Sequence, residues 1–282
     1  MARMIETLAP LAEGYGVVLC DVWGVLHNGV RAFPGAVTAL RAVRATGRPV
    51  VLVTNSPRPR DGVADQLALL DVPADCYDAI VSSGDVTRRL IAEGPRRVFH
   101  LGPDRDLAIY DGIDVELCEA FEAQAVVCTG LFDDDETPED YADMLERFRA
   151  RDLPFICANP DIVVERGDER IWCAGALARD YARLGGRTEI AGKPHRPIYE
   201  AALSAASEVL GRAVDRADAL AIGDGILTDI KGAADNGIDV LFVSAGIHAG
   251  EYGAPHAPEQ ARLSAFLERH GYSPVAVIPR LR

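Results

Sequence analysis

The sequence predicts an α/β fold: a parallel sheet flanked by helices and built from both ends of the chain, with a second, smaller α/β domain inserted at about residues 88–184. Three observations lead there. Short β-branched runs alternate with stretches of helical apolar spacing near both ends, the pattern of strand–helix units around a parallel sheet. The middle of the chain has its own strands, a helix start and a hairpin pattern. The chain has 282 residues, 49% hydrophobic and 26% charged, enough for one large domain or two ordinary ones. That apolar content is globular rather than disordered.

The elements follow in order. Val17–Cys20 is the first apolar run. Gly35–Thr46 carries Val37, Leu40 and Val43 at helical spacing, with Gly47 as its stop. Val50–Val53, a helix over Asp61–Leu70 and Ala79–Val81 complete the first part. In the middle, Val98–Leu101, Val126–Cys128 and Phe155–Cys157 read as strands. Thr137-Pro-Glu-Asp reads as a helix start, with Thr137 as cap, Pro138 first and acids in the first turn. Ile162–Glu165 and Arg170–Trp172 flank a Gly-Asp pair and suggest a hairpin with Trp172 in its core. The last part holds Glu189–Ala191, a helix from Pro197 to about Leu210, Ala219–Ile222, a short helix Asp229–Asn236, Val240–Val243, and Pro274–Ile278 as an edge strand. No internal repeat or low-complexity tract interrupts this order.

Composition removes several functional classes. The formal net charge of −14 argues against a nucleic-acid backbone as partner, because phosphate tracking needs a basic footprint. A small phosphate ester needs only a few donors and a cation. No apolar run reaches membrane-spanning length, and the acidic start MARMIETLAPLAEGYG has no signal-peptide pattern. Cys20, Cys76, Cys118, Cys128, Cys157 and Cys173 form no CxxC pair and read as buried free thiols, so a cytoplasmic protein is expected. The acidic run Asp133–Glu136 precedes a helix, lacks calcium-loop spacing and reads as a solvated loop. Only Lys193 and Lys231 are lysines among 29 basic residues. Lys231 reads as an exposed helix residue; Lys193, inside Gly-Lys-Pro, invites a role.

In open α/β sheets ligands bind beyond the carboxyl ends of the strands. Asp21-Val-Trp-Gly follows the first run, Thr54-Asn-Ser the second, Gly192-Lys193-Pro194 follows 189–191, and Gly223-Asp224 through Asp229 follows 219–222. A carboxylate, a hydroxyl–amide pair, a lysine and two more carboxylates suit phosphoryl transfer to a carboxylate. Asp21 would attack phosphorus, hard oxygens would hold Mg²⁺, and Thr54, the Asn55 amide and Lys193 would hold the transferring oxygens.

These segments, LCDVWGVLHNG, VTNSPR, AGKPHRPIYE and IGDGILTDIKGA in this order, resemble the haloacid dehalogenase (HAD) superfamily, subfamily IIA, the group of NagD-like and nitrophenyl phosphatases. CTGLFDDDETPEDYADML and CANPDIVV resemble the cap domain of that group. The resemblance implies a doubly wound Rossmann-like core from residues 1–87 and 185–282 and an inserted type C2 α/β cap at 88–184, with Val81–Thr87 as the hinge. It implies Asp21 as nucleophile and metal ligand, the Trp23 carbonyl, Asp224 and Asp229 at the metal, and Mg²⁺ as cofactor. Thr54, Asn55 and Lys193 take the phosphate, and Asn159 and Asp161 face the substrate from the cap. The implied partner is a small phosphorylated metabolite, with no nucleic acid and no membrane. Caps of this class often mediate dimers, which adds a homodimer as a candidate assembly.

One position departs from the family pattern. Its phosphatases carry a second aspartate two residues after the nucleophile, to protonate the leaving group and then activate water. Here that residue is Trp23, whose indole N–H only donates. Losing such a group costs about 10²–10⁴ in rate. His27 reads as a solvent-exposed loop residue, with a replacement proton carrier as the alternative. Trp23 therefore opens a second reading, a weakly active or non-catalytic phosphometabolite-binding protein. Dehalogenation or phosphotransfer to a metabolite ranks below both, because a lysine with two further carboxylates favours phosphate over halide.

Overall fold

The structure, a computed structural model, describes residues 3–167 and 169–282. They form two compact units. The first comprises the chain up to Thr54, Ala64–Val81 and Tyr199–Arg282; the second comprises Asn55–Val63 and Ser82–Ile198.

The first unit is built on a six-stranded sheet in the order Ala276–Ile278, Asp239–Val243, Ala219–Gly223, Val17–Cys20, Val50–Thr54, Ala79–Ser82. Pairing is parallel from Val50–Thr54 across to Ala276–Ile278, which is the expected edge strand. Its central strands are buried along their whole length, which is why they read as unbroken apolar runs rather than alternating ones. The helix Pro34–Ala45 buries Val37, Leu40 and Val43, each contributing about 1.5–3 kcal/mol of hydrophobic stabilisation. It starts on Pro34, which has no amide to leave unpaired, and stops before Gly47 at φ +81°. The chain first fills one side of Val17–Cys20 and later the other. The strand order therefore reverses between Val17–Cys20 and Ala219–Gly223, the place where an open sheet leaves a crevice for ligands.

The second unit carries a five-stranded parallel sheet in the order Thr188–Ile190, Phe155–Cys157, Ala125–Cys128, Arg97–Leu101, Glu116–Leu117. On one face Leu101, Val126, Cys128 and Phe155 pack with Leu145 and Phe148 of the helix Ala142–Ala150 and Leu177 and Tyr181 of the helix Ala174–Arg183. On the other, Val98, Ala125, Val127 and Ile156 pack with Ile91, Ile109 and Tyr110. Thr137 and Asp140 form a reciprocal cap, although the first turn after it is a tight 3₁₀ turn, Pro138–Tyr141. Val163–Arg166 and Glu169–Trp172 pair antiparallel as the expected hairpin; Asp168 of its Gly-Asp turn lies outside the described residues.

One strand differs from expectation. Thr188–Ile190, expected beside the strands of the first sheet, pairs with Phe155–Cys157 in the second. The acidic run is a loop: Asp134 accepts from Arg105 and Arg166, both at 2.6 Å. All six cysteines are free, and five are buried. Among the described residues no helix is long and apolar enough to cross a membrane.

Candidate active site

In the first unit the strand ends assemble a carboxylate cluster. The Asp21 amide donates to the Ile222 carbonyl at 2.8 Å, extending the pairing of the two strands at the switch point by one residue. Asp21 and Asp224 therefore leave neighbouring strands side by side. Asp229 returns through a π-helical turn, Ile226–Ile230, in which the Ile230 amide donates to the Gly225 carbonyl. Such turns recur at functional sites. Oxygens of Asp21, Asp224 and Asp229 lie within 4.8 Å of one another, and the three residues are only 6–7% exposed.

The backbone fixes two of these carboxylates. Asp224 Oδ2 accepts from the Ile247 amide at 2.9 Å, and Asp229 Oδ2 from the Gly225 amide at 3.0 Å. Asp224 is walled by two glycines. A Cβ at Gly24 would stand 2.7 Å from its Cγ and one at Gly246 2.5 Å, both inside contact distance. Gly24 is also at φ +84°, a conformation glycine adopts without strain. Three acids drawn this close in a buried place repel one another, and a hard-oxygen donor set of this kind suits a divalent cation such as Mg²⁺.

The loop after Asp21 folds on itself. Gly24 donates to the His27 carbonyl, and Arg280 Nη1 to the Gly24 carbonyl at 3.1 Å, with its guanidinium 4.1 Å from the Phe33 ring centre. Trp23 is half-buried, its ring edge-to-face with His27 at 5.0 Å. His27 is not the exposed residue its polar neighbours suggest. It is 1% exposed, its Nδ1 accepts from the Gly29 amide at 3.0 Å, and burial pushes its pKa down to about 4. A ring that is neutral at pH 7 with Nδ1 occupied is poorly suited to donating a proton.

The second unit gathers another group of the predicted residues. Lys193 is 3% exposed, and its backbone is held by the Asn55 side chain. Asn55 Nδ2 also donates to Asp161 Oδ1 at 2.9 Å. Asn159 Oδ1 accepts from the Asp161 amide at 3.2 Å, so it shapes the turn around Pro160. Thr54, the last residue of its strand, is buried in the first unit. Sequence reasoning missed the Gly246 wall, the Ile247 amide and the Asn55 carboxamide. The first two follow the strand Asp239–Val243, a further strand end that carries no acid or lysine of its own.

Comparison with known proteins agrees with this architecture. Residues 18–116 match the haloacid dehalogenase-like hydrolase family model, and residues 190–265 match a second model described as HAD-hydrolase-like. A hydrolase of the haloacid dehalogenase-like family from Brucella suis 1330 is 57% identical, covers 99% of this chain and 100% of its own, and superposes with a TM-score of 0.90. The ribonucleotide monophosphatase NagD of Escherichia coli K12 is 29% identical over 245 residues, 82% of this chain and 88% of its own. The 5'-nucleotidase YutF of Bacillus subtilis 168 is 26% identical over 249 residues, 85% and 90% respectively. With its parallel α/β fold and NagD-like relatives, the chain belongs to the haloacid dehalogenase-like hydrolase family.

Proposed function

We propose that the protein is a Mg²⁺-dependent phosphatase of small phosphorylated metabolites that works through an aspartyl-phosphate on Asp21. The convergence of Asp21, Asp224 and Asp229 at the switch point of the first sheet carries this reading. The named activities of NagD and YutF, both on phosphate monoesters, support it. Asp21, Asp224, Asp229 and the Trp23 carbonyl would hold Mg²⁺, which supplies neutralisation of the negative charge between carboxylate and phosphoryl group. An Asp21 oxygen bonds to phosphorus as the bond to the ester oxygen breaks, and the alcohol leaves with a proton from solvent. Water then attacks the same phosphorus, releasing phosphate and restoring the carboxylate. Thr54, the Asn55 amide and Lys193 hold the phosphoryl oxygens, a role that rests on the order of the motifs. We take residues 88–184, together with the Thr188–Ile190 strand that joins their sheet, as the inserted cap domain, and the rest of 1–87 and 185–282 as the catalytic core. Asn159 and Asp161 belong to the cap loop nearest the substrate, and the protein works in the cytoplasm.

Trp23 favours a second reading. With an indole at that position and His27 neutral, leaving groups must depart with little acid assistance, so esters of acidic alcohols react fastest. In the limit the protein binds phosphometabolites without turning them over. A panel of phosphate esters with Mg²⁺ separates the two. Phosphate release abolished by Asp21→Asn supports the phosphatase; ligand-dependent thermal stabilisation without release supports the binding protein. Asp21→Asn protein that still turns over removes Asp21 as nucleophile. Trp23→Asp supplies the missing acid and should raise turnover of poor leaving groups by about 10²-fold or more.

A further inference from the structure

Asn55 uses its whole carboxamide within the second unit. Its Oδ1 accepts from the Lys193 amide at 2.7 Å, and its Nδ2 donates to the Lys193 carbonyl at 3.2 Å and to Asp161 Oδ1 at 2.9 Å. The Lys193 N–H fixes which end of the amide faces it, since the reverse orientation would set two donors against each other. Asn55 is 2% exposed; its two bonds to the Lys193 backbone are buried and the one to Asp161 is partly buried. The chain just before Lys193 is seated on the same groups: a Cβ at Gly192 would lie 2.8 Å from Asn55 Oδ1, 2.8 Å from Pro160 Cγ and 2.5 Å from Ser83 Oγ. Asp161 is anchored in turn. Its carbonyl accepts from the Gly175 amide at 3.1 Å, and the next carbonyl, of Ile162, from the Cys173 amide, tying the loop to the start of the helix Ala174–Arg183.

We propose that Asn55 and Asp161 form a latch that sets the position of Lys193, so that Asp161 is a positioning residue for the lysine and not a reader of the substrate's alcohol. One carboxamide joins segments 106 and 138 residues away from it in the chain. A shift of the Asn159–Asp161 loop therefore reaches the Lys193 backbone directly. The effect on turnover rests on the phosphatase reading, in which Lys193 holds phosphoryl oxygens; the mechanical link does not.

The test compares Asp161→Ala, Asp161→Asn, Asn55→Asp and the double variant Asn55→Asp/Asp161→Asn. Hydrogen exchange at the Lys193 amide reads the latch without activity, and kcat and KM over phosphate monoesters of different alcohols read its consequence. Losing one partly buried bond to a carboxylate corresponds to about a tenfold effect. Asp161→Ala should speed Lys193 exchange by about that factor. It should lower kcat by a similar factor for every ester alike, leaving KM nearly unchanged. Asp161→Asn keeps an acceptor for Asn55 Nδ2, so Lys193 exchange should stay close to the wild-type rate. Asn55→Asp sets two carboxylates together and should be the worst single change. The double variant restores a donor–acceptor pair with the roles exchanged, and should recover part of that loss. The proposal is overturned if Lys193 exchange is unchanged in both Asp161→Ala and Asn55→Asp. It is equally overturned if the loss varies with the alcohol and Asp161→Asn is as damaging as Asp161→Ala. Wild-type protein that hydrolyses none of the esters overturns the phosphatase reading, and the exchange measurement still decides the latch. If Asp161→Ala fails to fold, the Asn55→Asp and double-variant pair decides it by the same exchange reading.

Discussion

Gly246→Ala isolates the carboxylate wall from every other feature of the site. Gly246 follows the strand Asp239–Val243, and its backbone is not in the left-handed region, so alanine adds volume without conformational strain. The new Cβ would lie 2.5 Å from Asp224 Cγ and closer still to Oδ2. Ordinary carbon contacts sit at about 3.5–4.0 Å, so the Asp224 carboxylate or the loop must give way by about 1 Å. Movement of that size breaks the 2.9 Å bond from the Ile247 amide, and a hydrogen bond to a charged group is worth about 1.5–3 kcal/mol. It also swings one of three clustered carboxylates away from the others. Misplacement of about 1 Å in a reacting constellation can cost about 10² in rate. The expected result is a drop of about that size in kcat/KM on an aryl phosphate, together with weaker Mg²⁺ binding by calorimetric titration. Gly250→Ala is the control, since its Cβ would meet nothing within 4 Å. Gly246→Ala protein that keeps wild-type Mg²⁺ affinity and turnover would show that the packing against Asp224 does not govern the site.

Three further outcomes follow from the same structure. His27 has a folded pKa near 4 against 6.5 when unfolded, so below pH 6.5 the unfolded chain binds the extra proton. Stability present above pH 6.5 is lost as pH falls through about 4, by about 3 kcal/mol in full; urea unfolding across pH should show a flatter slope in His27→Asn, and equal slopes would refute the buried neutral histidine. Mg²⁺ at about 100 times its Kd should raise stability by about 2.7 kcal/mol in thermal or denaturant unfolding, and Asp229→Asn should shrink that gain; a melting temperature indifferent to Mg²⁺ would count against the cluster as a cation site. Asp134→Asn removes the charge that pairs with two arginines in the acidic loop, yet exposed pairs contribute about 1 kcal/mol or less, so stability should barely change and Mg²⁺ dependence not at all; a changed Mg²⁺ dependence would mark that loop as a metal site.

The strands were legible because burial on both faces writes an unbroken apolar run. Val17–Cys20, Val50–Thr54 and Ala219–Gly223 are buried throughout, and their limits fall within a residue of expectation. Which sheet a strand joins is a different kind of fact. Thr188–Ile190 is half-buried along its length and carries no local mark of its partner. Its pairing with Phe155–Cys157 is a contact between distant segments, and the Gly-Lys-Pro motif after it does not encode that partner. The burial of His27 is hidden in the sequence for a related reason. Its neighbours Asn28 and Gly29 belong to a turn, and turns usually lie at the surface. Here the turn amide of Gly29 caps the ring nitrogen while Trp23 covers the ring.

The site divides along the same line. Asp21, Asp224 and Asp229 could be picked out because each is an acid just beyond a buried strand, where an α/β sheet offers its ligand edge. Charge draws attention in a sequence; shape does not. Gly246 and the Ile247 amide hold Asp224 as firmly as any side chain, yet a glycine and a backbone N–H carry no signal without the fold. The Asn55 carboxamide lies between these cases. Its neighbour Thr54 marked the motif, but the side chain turned out to grip a lysine backbone 138 residues away. The net charge of −14 is compatible with an anionic substrate on the same physical ground. An acidic surface is screened within about 8–10 Å by salt. What a phosphate would meet at the strand ends of the first sheet is decided locally, by the cation that three buried carboxylates would hold.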